Sequence, residues 1–326
     1  MSDNLTSIKD ISSYFQPNST VIVGFSGGPD SVCLLNLVTK LVPSLNLTII
    51  AAHLDHGWRK ESALDAAWCK NMCQELGVTF IGTTTTELNY TPKYNGSKEE
   101  LGRRLRRYFF EKLAQEYNAS SILLAHHADD QIETFFIRLL RGSSISGISG
   151  MRIRDRLYLR PLLNWNKSDI YTYLKQEKLS YLQDHTNLEL NFLRNRIRLN
   201  LLPTLSTIDA RWKKTIPSCI KQLQDTDNFL QKYCNNLISE ISNQNDSTQI
   251  NIIKFLALDE IIQHRILLLL LINQKIQFTP TTALFAEIIR FLKSNQSNRH
   301  TINSKNSILK RNGYFIFSSS SFSSIF

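Results

Sequence analysis

The fold of this chain is decided by the stretch Val21-Ile22-Val23-Gly24-Phe25-Ser26-Gly27-Gly28-Pro29-Asp30-Ser31. Its apolar part, residues 20–25, predicts a buried parallel strand, because such strands are near-continuous apolar runs. A Ser-Gly-Gly turn follows, and apolar side chains then recur at helical spacing through residues 32–41. A helix that starts directly after such a turn points free N–H groups and its dipole at an anion. The stretch therefore predicts a phosphate-binding loop.

The residues of the loop suit a bound nucleotide. Gly27 and Gly28 lack a Cβ, so the backbone can approach a phosphate closely. Asp30 offers a carboxylate for Mg²⁺, and the serines offer hydroxyl donors. The Gly-Lys-Ser/Thr ending of a Walker A loop is absent, and so is the G-x-G-x-x-G spacing. The predicted cofactor ligands are Ser26, Gly27, Gly28, Pro29, Asp30, Ser31 and His53.

Working outward, residues 20 to about 160 alternate between strand-like and helix-like segments. Strands are predicted at 20–25, 47–53, 78–82 and 121–125, and helices at 63–76, 97–117 and 129–140. This alternation predicts an α/β fold with a doubly wound parallel sheet, whose ligands bind beyond the carboxyl ends of the strands. Strand signals fade after residue 167. We therefore expect a catalytic domain at 1–205 and a mainly helical domain at 206–326, with a short β element at 303–317 and a serine-rich tail.

Composition narrows the class of protein. The chain has 326 residues, a net charge of +10 and a pI near 9.4, a balance that favours a polyanionic partner. Its five cysteines include no C-x-x-C pair, which argues for a reducing compartment and against a zinc or iron–sulfur site. The N-terminus shows no secretory signal, and the longest strongly apolar run, residues 266–272, is far short of the roughly 20 residues of a membrane span. These features predict a cytoplasmic protein without a membrane partner.

Two polar clusters follow other predicted strands. Residues 125–134 read Ala-His-His-Ala-Asp-Asp-Gln-Ile-Glu-Thr, so Asp130 and Glu133 fall on one helical face, where carboxylates can hold Mg²⁺. Residues 53–57 read His-Leu-Asp-His-Gly, and their side chains could position a nucleotide or a proton. The candidate catalytic residues are Asp30, Asp55, His56, Asp129 and Asp130, with Asp30 and Asp130 as metal ligands.

Arginines are concentrated in three segments. Residues 103–107 hold four of them, residues 138–160 add more around a Gly/Ser-rich loop, and residues 194–198 read Arg-Asn-Arg-Ile-Arg. Arginine forks suit phosphates and carboxylates. The candidate contacts to lysine or RNA are Arg104, Arg107, His126, Glu133, Arg141, Arg194, Asn195 and Arg196.

In combination, these motifs resemble the tRNA(Ile)-lysidine synthetases of the PP-loop ATP pyrophosphatase superfamily. The resemblance covers residues 20–205 and includes Ser26–Ser31, His53–Arg59, His126–Thr134, Arg138–Gly142, Arg160–Leu163 and Asp184 through Arg198 to Pro203. One departure is Gly102, where the family usually has alanine, a change expected to cost only helix propensity.

The resemblance implies that ATP, Mg²⁺, L-lysine and tRNA(Ile) with a CAU anticodon meet at this site. AMP would be transferred to O2 of the wobble cytidine, and the lysine amine would then attack C2 to give lysidine. The resemblance leaves the general base open among Asp55, His56 and Asp129, and by motif it places the lysine α-carboxylate near Arg104 or Arg107. The oligomeric state stays open, with a homodimer as one option.

Three alternatives share parts of this pattern. A PP-loop tRNA thiolase would use catalytic or cluster cysteines, and a PP-loop amide ligase such as a GMP or NAD synthetase would have a different second half. A nucleotide-binding RNA-binding protein without catalysis would leave the acidic residues beside the histidines unexplained. A tRNA-dependent assay of ATP cleavage separates these alternatives.

Overall fold

The computed structural model describes residues 11–58, 62–92, 96–183 and 192–319. The chain forms two compact units, residues 1–223 and 224–326. Their boundary falls inside one long helix, further along the chain than the division at 205/206 expected from the sequence. No helix within the described ranges is long and apolar enough to cross a membrane.

The first unit is built on a six-stranded sheet. Its strands are β1 (Thr20–Gly24), β2 (Thr48–Asp55), β3 (Thr79–Thr84), β4 (Ser121–Leu123), β5 (Arg154–Asp155) and β6 (Tyr158–Leu159). The order is β3-β2-β1-β4-β6-β5, and every neighbouring pair is parallel except β5 with β6. The predicted parallel α/β sheet is thus confirmed. The two-residue strands β5 and β6 were not predicted, because so short a segment carries no periodic pattern.

Helices join and cover these strands. They are α1 (Pro29–Thr39), α2 (Val42–Leu45), α3 (Ser62–Glu75), α4 (Lys98–Glu116), α5 (Ala128–Leu140), α6 (Ile145–Ile148), α7 (Lys167–Gln176), α8 (Leu193–Arg196) and α9 (Leu202–Ile208), with a π-helical segment, Ile197–Leu201, between the last two. The long helix α10 (Trp212–Ile241) follows.

Alternation along the strands separates two apolar cores. Val21 and Val23 pack on one face of the sheet with residues of α1, α3 and α7. Ile22 points to the opposite face, where β2 and β4 pack against α4. Because successive side chains of a strand point to opposite faces, the same alternation decides which face of the sheet each polar residue beyond a strand end joins.

The second unit combines helices with a small antiparallel sheet. Its helices after α10 are α11 (Ile252–Leu256), α12 (Glu260–Asn273) and α13 (Thr282–Lys293), and its strands are β7 (Ile250–Asn251), β8 (Arg299–Thr301), β9 (Asn306–Arg311) and β10 (Tyr314–Ser319). The strand order is β7-β10-β9-β8. Phe255 and Phe315 meet edge-to-face in the core of this unit. The β element expected at 303–317 is part of this sheet, and residues 320–326 of the predicted tail lie outside the described residues.

The backbone of the phosphate loop depends on Gly27. This residue has φ +79°, and an added Cβ would lie 2.6 Å from Leu182 Cδ1 and 2.9 Å from Cys69 Sγ. Gly77 has a similar φ of +66°, with nothing within 4 Å of the Cβ position. Alanine substitutions at these two glycines therefore separate the free-energy cost of the backbone conformation from that of the steric contact.

We expect Gly77→Ala to lower the free energy of unfolding by about 1–2 kcal/mol, the cost of a left-handed backbone for an L-residue. Gly27→Ala should lower it by about 2–5 kcal/mol, because overpacking adds to the same backbone cost. Denaturant titration of both variants measures the difference. Equal losses would show that Leu182 and Cys69 yield freely to the added methyl group.

Candidate active site

The Ser-Gly-Gly loop lies at the carboxyl end of β1, the central strand of the sheet beside β2 and β4. Pro29 is at the start of α1, and Gly28 is its extended N-cap residue. The Ser31 hydroxyl donates to the Gly28 carbonyl at 2.9 Å, and the Ser26 N–H donates to Ser31 Oγ at 3.3 Å. These bonds close the loop around the helix start, where the N–H groups of the first turn favour an anion.

Two contacts from elsewhere in the chain fix the loop in place. His53 Nδ1 donates to the Phe25 carbonyl at 2.9 Å, and this histidine is buried. The Leu182 N–H donates to the Gly27 carbonyl at 2.9 Å. His53, a predicted cofactor ligand, thus positions the loop that would hold the cofactor.

A chain of charged groups connects the loop to the acidic motif of α5. Asp30 Oδ1 accepts from Lys167 Nζ at 2.5 Å, and Asp30 Oδ2 lies 3.8 Å from His127 Nε2. The same Nε2 lies 3.4 Å from Asp130 Oδ2, which also accepts the His127 N–H at 3.1 Å. Asp129 Oδ2 accepts the backbone N–H of Lys167 at 3.3 Å. The fold therefore brings Asp30, Asp129 and Asp130 together.

Glu133 continues this chain toward the Arg-Asn-Arg-Ile-Arg segment. Its side chain is 1% exposed and accepts two hydrogen bonds from Arg198, from Nε at 2.6 Å and from a terminal nitrogen at 3.1 Å. Arg194 Nε lies 3.3 Å from the same carboxylate. Arg198 belongs to the π-helical segment, a deviation that is frequent at functional sites. Two arginines from one segment thus converge on one buried acid.

Burial sets the protonation of this cluster. Burial raises the pKa of Glu133, against the lowering effect of Arg198 and Arg194. It also acts to raise the pKa of Asp130, but His127, His126 and Arg194 hold that pKa below its usual range. Burial, aided by nearby arginine charges, lowers the pKa of His126 to about 4, so this imidazole is neutral at pH 7.

The second polar motif divides between the two faces of the sheet. His53 and Asp55 line a cavity of about 320 Å³ with α3 side chains such as Lys70 and with Phe80 of β3. Asp55 Oδ1 accepts the Gly57 N–H at 2.7 Å, and its Oδ2 accepts the Ser62 hydroxyl at 3.1 Å. His56 lies instead against Gly102 of α4 and stacks on Trp58 with a centroid distance of 4.4 Å. The cavity volume is within the range of about 300–1,000 Å³ for small-ligand sites.

The Gly/Ser-rich loop after α5 is held from that helix. Arg138 donates to the carbonyls of Gly147 and Gly150 at 2.6 and 3.1 Å. Gln131 exchanges two hydrogen bonds with the Met151 backbone, at 2.6 and 2.7 Å. These side chains fix the path of residues 142–151 beside the acidic motif.

The remaining predicted contacts lie at the surface or beside this network. Arg104 and Arg107 pair with Glu100 and Glu111 of the same helix at 3.4 and 2.9 Å. Arg141 ends α5 as an exposed residue, Arg196 is exposed and Asn195 is buried. Arg59 and Asp184, which carried part of the resemblance, lie outside the described residues.

Sequence reasoning missed three cations that the fold brings to this region. Lys167 had one signal, since a lysine in the first turn of a helix opposes the helix dipole. Arg198 was quoted but not chosen, because the π-helical turn that directs it is invisible in the pattern. The charge of Arg103 contributes to the lowered pKa values of His126, Arg138 and Arg160, where burial is the main cause.

The carboxylates of this site suit a metal ion held jointly by the protein and by substrate phosphates, rather than one held by protein ligands alone. Among the described residues, no group of three or more His, Cys, Asp or Glu could hold an ion. Mg²⁺, however, usually binds through one or two carboxylates together with substrate phosphates and water. Asp30 and Asp130 approach the same imidazole and meet that requirement once phosphates are bound.

Two curated relatives each match more than half of this chain. It is 40% identical over 185 residues to a tRNA(Ile)-lysidine synthase of Clostridium tetani, which covers 56% of this chain and 40% of that protein. It is 32% identical over 257 residues to a tRNA(Ile)-lysidine synthase of Clostridioides difficile, with coverage of 77% and 56%. The chain thus spans only about half the length of these relatives.

A solved structure and a family model also match this chain. The U34-tRNA thiolase NcsA from Methanococcus maripaludis, solved with its [4Fe-4S] cluster, superposes with a TM-score of 0.55 at 16% identity, covering 67% of this chain and 78% of that one. At this identity the likeness concerns the fold alone. Residues 3–205 match the family model described as the PP-loop domain, which includes the loop, both histidine motifs and the Arg-Asn-Arg-Ile-Arg segment. The chain therefore belongs to the PP-loop domain family.

Proposed function

We propose that this chain joins lysine to C2 of the wobble cytidine of tRNA(Ile) with a CAU anticodon, at the expense of ATP, to form lysidine. The observation that carries this proposal is the approach of Asp30, from the phosphate loop, and Asp130, from the acidic motif, to the same His127 ring. With this approach, the groups that would bind phosphate and those that would transfer protons lie at one site. The printed names of the relatives agree with this reaction.

In the first step the cytidine O2 attacks the α-phosphorus of ATP and pyrophosphate leaves. The Ser-Gly-Gly loop and the start of α1 would hold the departing phosphates with backbone N–H groups. Asp30 and Asp130 would hold Mg²⁺, which offsets negative charge on the phosphates when bound. Lys167, paired with Asp30 here, adds a second cation beside the same phosphates.

In the second step the lysine amine attacks C2, the C2–O2 bond breaks, and AMP leaves with its oxygen. The amine must first lose a proton. Of the three candidate bases, Asp55 accepts with both carboxylate oxygens, from Gly57 and Ser62, whereas among the described residues Asp129 accepts only at Oδ2, from the Lys167 N–H. His56 has a pKa lowered to about 4, chiefly by burial. We therefore assign the base to Asp129, which is partly exposed and adjoins the Asp30 and Asp130 cluster.

The sulfur-transfer alternative fits these residues poorly. Burial raises the pKa of the Cys33, Cys69 and Cys73 thiols to about 12, so they are protonated at neutral pH. A thiolate, not a thiol, is the nucleophile and the cluster ligand. The remaining cysteines, Cys219 and Cys234, follow the family match along the chain and form no C-x-x-C pair.

Release of AMP and incorporation of lysine should both require a CAU-anticodon tRNA(Ile) transcript. Asp30→Asn should lower both by at least about a hundredfold, because it removes the charge that serves the metal, with an unchanged circular dichroism spectrum. Asp209→Asn, a surface acid paired with Arg211, is the matched control and should retain normal rates. AMP release without tRNA, or normal activity of folded Asp30→Asn, would contradict the proposal.

Binding of tRNA should depend strongly on salt. Lysine and arginine contacts to phosphate release counterions, and a slope of log affinity against log salt steeper than about −3 corresponds to roughly four or more contacts. The net charge of +10 and the three arginine segments are the basis. Filter binding between 50 and 300 mM salt, roughly the range where such slopes are read, measures it. A flat profile would show that the charge serves solubility only.

The α-carboxylate of lysine needs a cation. Motif position favoured Arg104 or Arg107, but both are paired with glutamates of α4. Arg103, on the same helix, is exposed, and its charge contributes to the lowered pKa values of His126, Arg138 and Arg160, where burial is the main cause. We therefore propose Arg103 as the partner of the carboxylate.

Arg103→Ala should raise the KM for lysine about ten- to a hundredfold with little change in the KM for ATP, the range for loss of a hydrogen bond to a charged group. Arg107→Ala, one turn further along α4, is the control and should change the lysine KM less than about threefold. Steady-state kinetics with lysine and ATP varied separately decide this. The reverse ranking would transfer the role to Arg107.

A further inference from the structure

An exposed aromatic stack lies just beyond the carboxyl end of β2. The Trp58 indole is 44% exposed and stacks on the His56 ring, with a centroid distance of 4.4 Å and an interplanar angle of 19°. Lys98, an exposed residue at the start of α4, holds its ammonium 4.8 Å from the centroid of the same indole. A large apolar ring in this position gains little from the apolar cores described above, so its exposure calls for another reason.

Gly102 makes this arrangement possible. An added Cβ there would lie 2.7 Å from Trp58 Cη2 and 3.3 Å from His56 Cε1. Gly102 has neither a positive φ nor a place in a turn, so its backbone conformation does not require glycine. A glycine inside a helix costs about 1 kcal/mol relative to alanine. The missing methyl group is thus explained by the space that the stack needs.

The stack and the cavity lined by His53 and Asp55 lie on opposite faces of the sheet. His53 and Asp55 line the cavity together with α3, whereas His56 and Trp58 pack on Gly102 of α4. The alternation of β2 produces this separation, since Ala51 belongs to the α3 face and Leu54 to the α4 face. The stack is therefore placed for a ring other than one bound in that cavity.

The surroundings of the stack suit RNA. Burial, with a contribution from the nearby Arg106 charge, lowers the pKa of His56 to about 4, so a neutral imidazole supports the indole at pH 7. Among the described residues, His56 Nδ1 is buried and has no hydrogen-bond partner. An exposed cation–π contact such as that of Lys98 is weaker than a base–aromatic stack. A base can thus replace the lysine on the ring and leave its ammonium for the adjoining phosphate.

We propose that the Trp58–His56 stack, seated on Gly102 and flanked by Lys98, is a platform on which an unpaired base of the bound RNA stacks. The chemistry that it recognises is the flat face of a nucleobase, and the source that we assign is RNA rather than ATP. The proposal rests on the proposed function, because it supposes an RNA substrate. It adds a contact that the loop and acidic motif do not supply.

The test measures the Kd of an RNA stem-loop carrying the CAU anticodon, by fluorescence anisotropy of the labelled RNA, alongside the KM for ATP. Trp58→Ala and Trp58→Leu should each raise the RNA Kd roughly five- to 150-fold, the range for loss of one base–aromatic stack. Trp58→Phe keeps a ring and should retain most of the affinity. The KM for ATP should stay within about twofold in all three, since the ring lies on the opposite face of the sheet from the cavity lined by His53 and Asp55.

Trp212→Ala is the matched control, because Trp212 also lies near a lysine, Lys213, but no histidine in the described part of the chain stacks on it. It should leave the RNA Kd unchanged. Gly102→Ala should weaken RNA binding by displacing the indole, and should add no further loss in a Trp58→Ala background. Circular dichroism confirms folding of each variant.

Three results would overturn the proposal: full affinity in Trp58→Leu, a rise in the KM for ATP as large as that in the RNA Kd, or additive losses in the double variant. Failure of the proposed function is scored separately, as the absence of lysine incorporation by the unmodified chain. An RNA that binds wild type and loses affinity in Trp58→Leu supports the platform whether or not lysine is transferred.

Discussion

The candidate site depends on one chain of polar and charged groups, from Lys167 through Asp30, His127 and Asp130 to Arg198 and Glu133. These groups come from the phosphate loop, the starts of α5 and α7 and the π-helical segment, which are far apart in sequence. Glu133 is buried and Asp130 is partly buried, and a buried charge is costly unless it is paired. Removal of a cation beside either carboxylate would therefore destabilise the fold. These contacts therefore fix the relative positions of the phosphate loop, the acidic motif and the arginine segment.

The carboxylates of this network differ in how deeply they are buried. Glu133 is nearly fully buried and occupied by Arg198 and Arg194, a structural role that orients the arginine segment. Asp30, Asp129 and Asp130 are more exposed, at 28%, 39% and 14%, and an entering ligand can reach them. Burial thus divides carboxylates of similar chemistry between a positioning role and a role toward substrate.

Much of the first unit could be predicted from the sequence because its strands are apolar runs bounded by glycine, histidine and acidic clusters. The loop after β1 and the order of the βα units followed from local pattern alone. Lys167, Arg103 and the strands β5 and β6 could not be predicted, because their placement depends on tertiary pairing that leaves no periodic trace. The arginines of α4 are an example. The helical pattern predicts that they lie at the surface, but it does not predict the neighbours of each one.

Gly102 is another residue whose role depends on tertiary contacts. Read as a helix residue it was only a loss of propensity, yet in the fold it is the floor beneath Trp58 and His56. A sheet that alternates its side chains must send His53 and Asp55 to one face and His56 to the other. One short polar motif therefore contributes to two separate features, a cavity beside α3 and an aromatic stack beside α4. That division requires no extra domain, since it follows from the two-residue period of a single strand end.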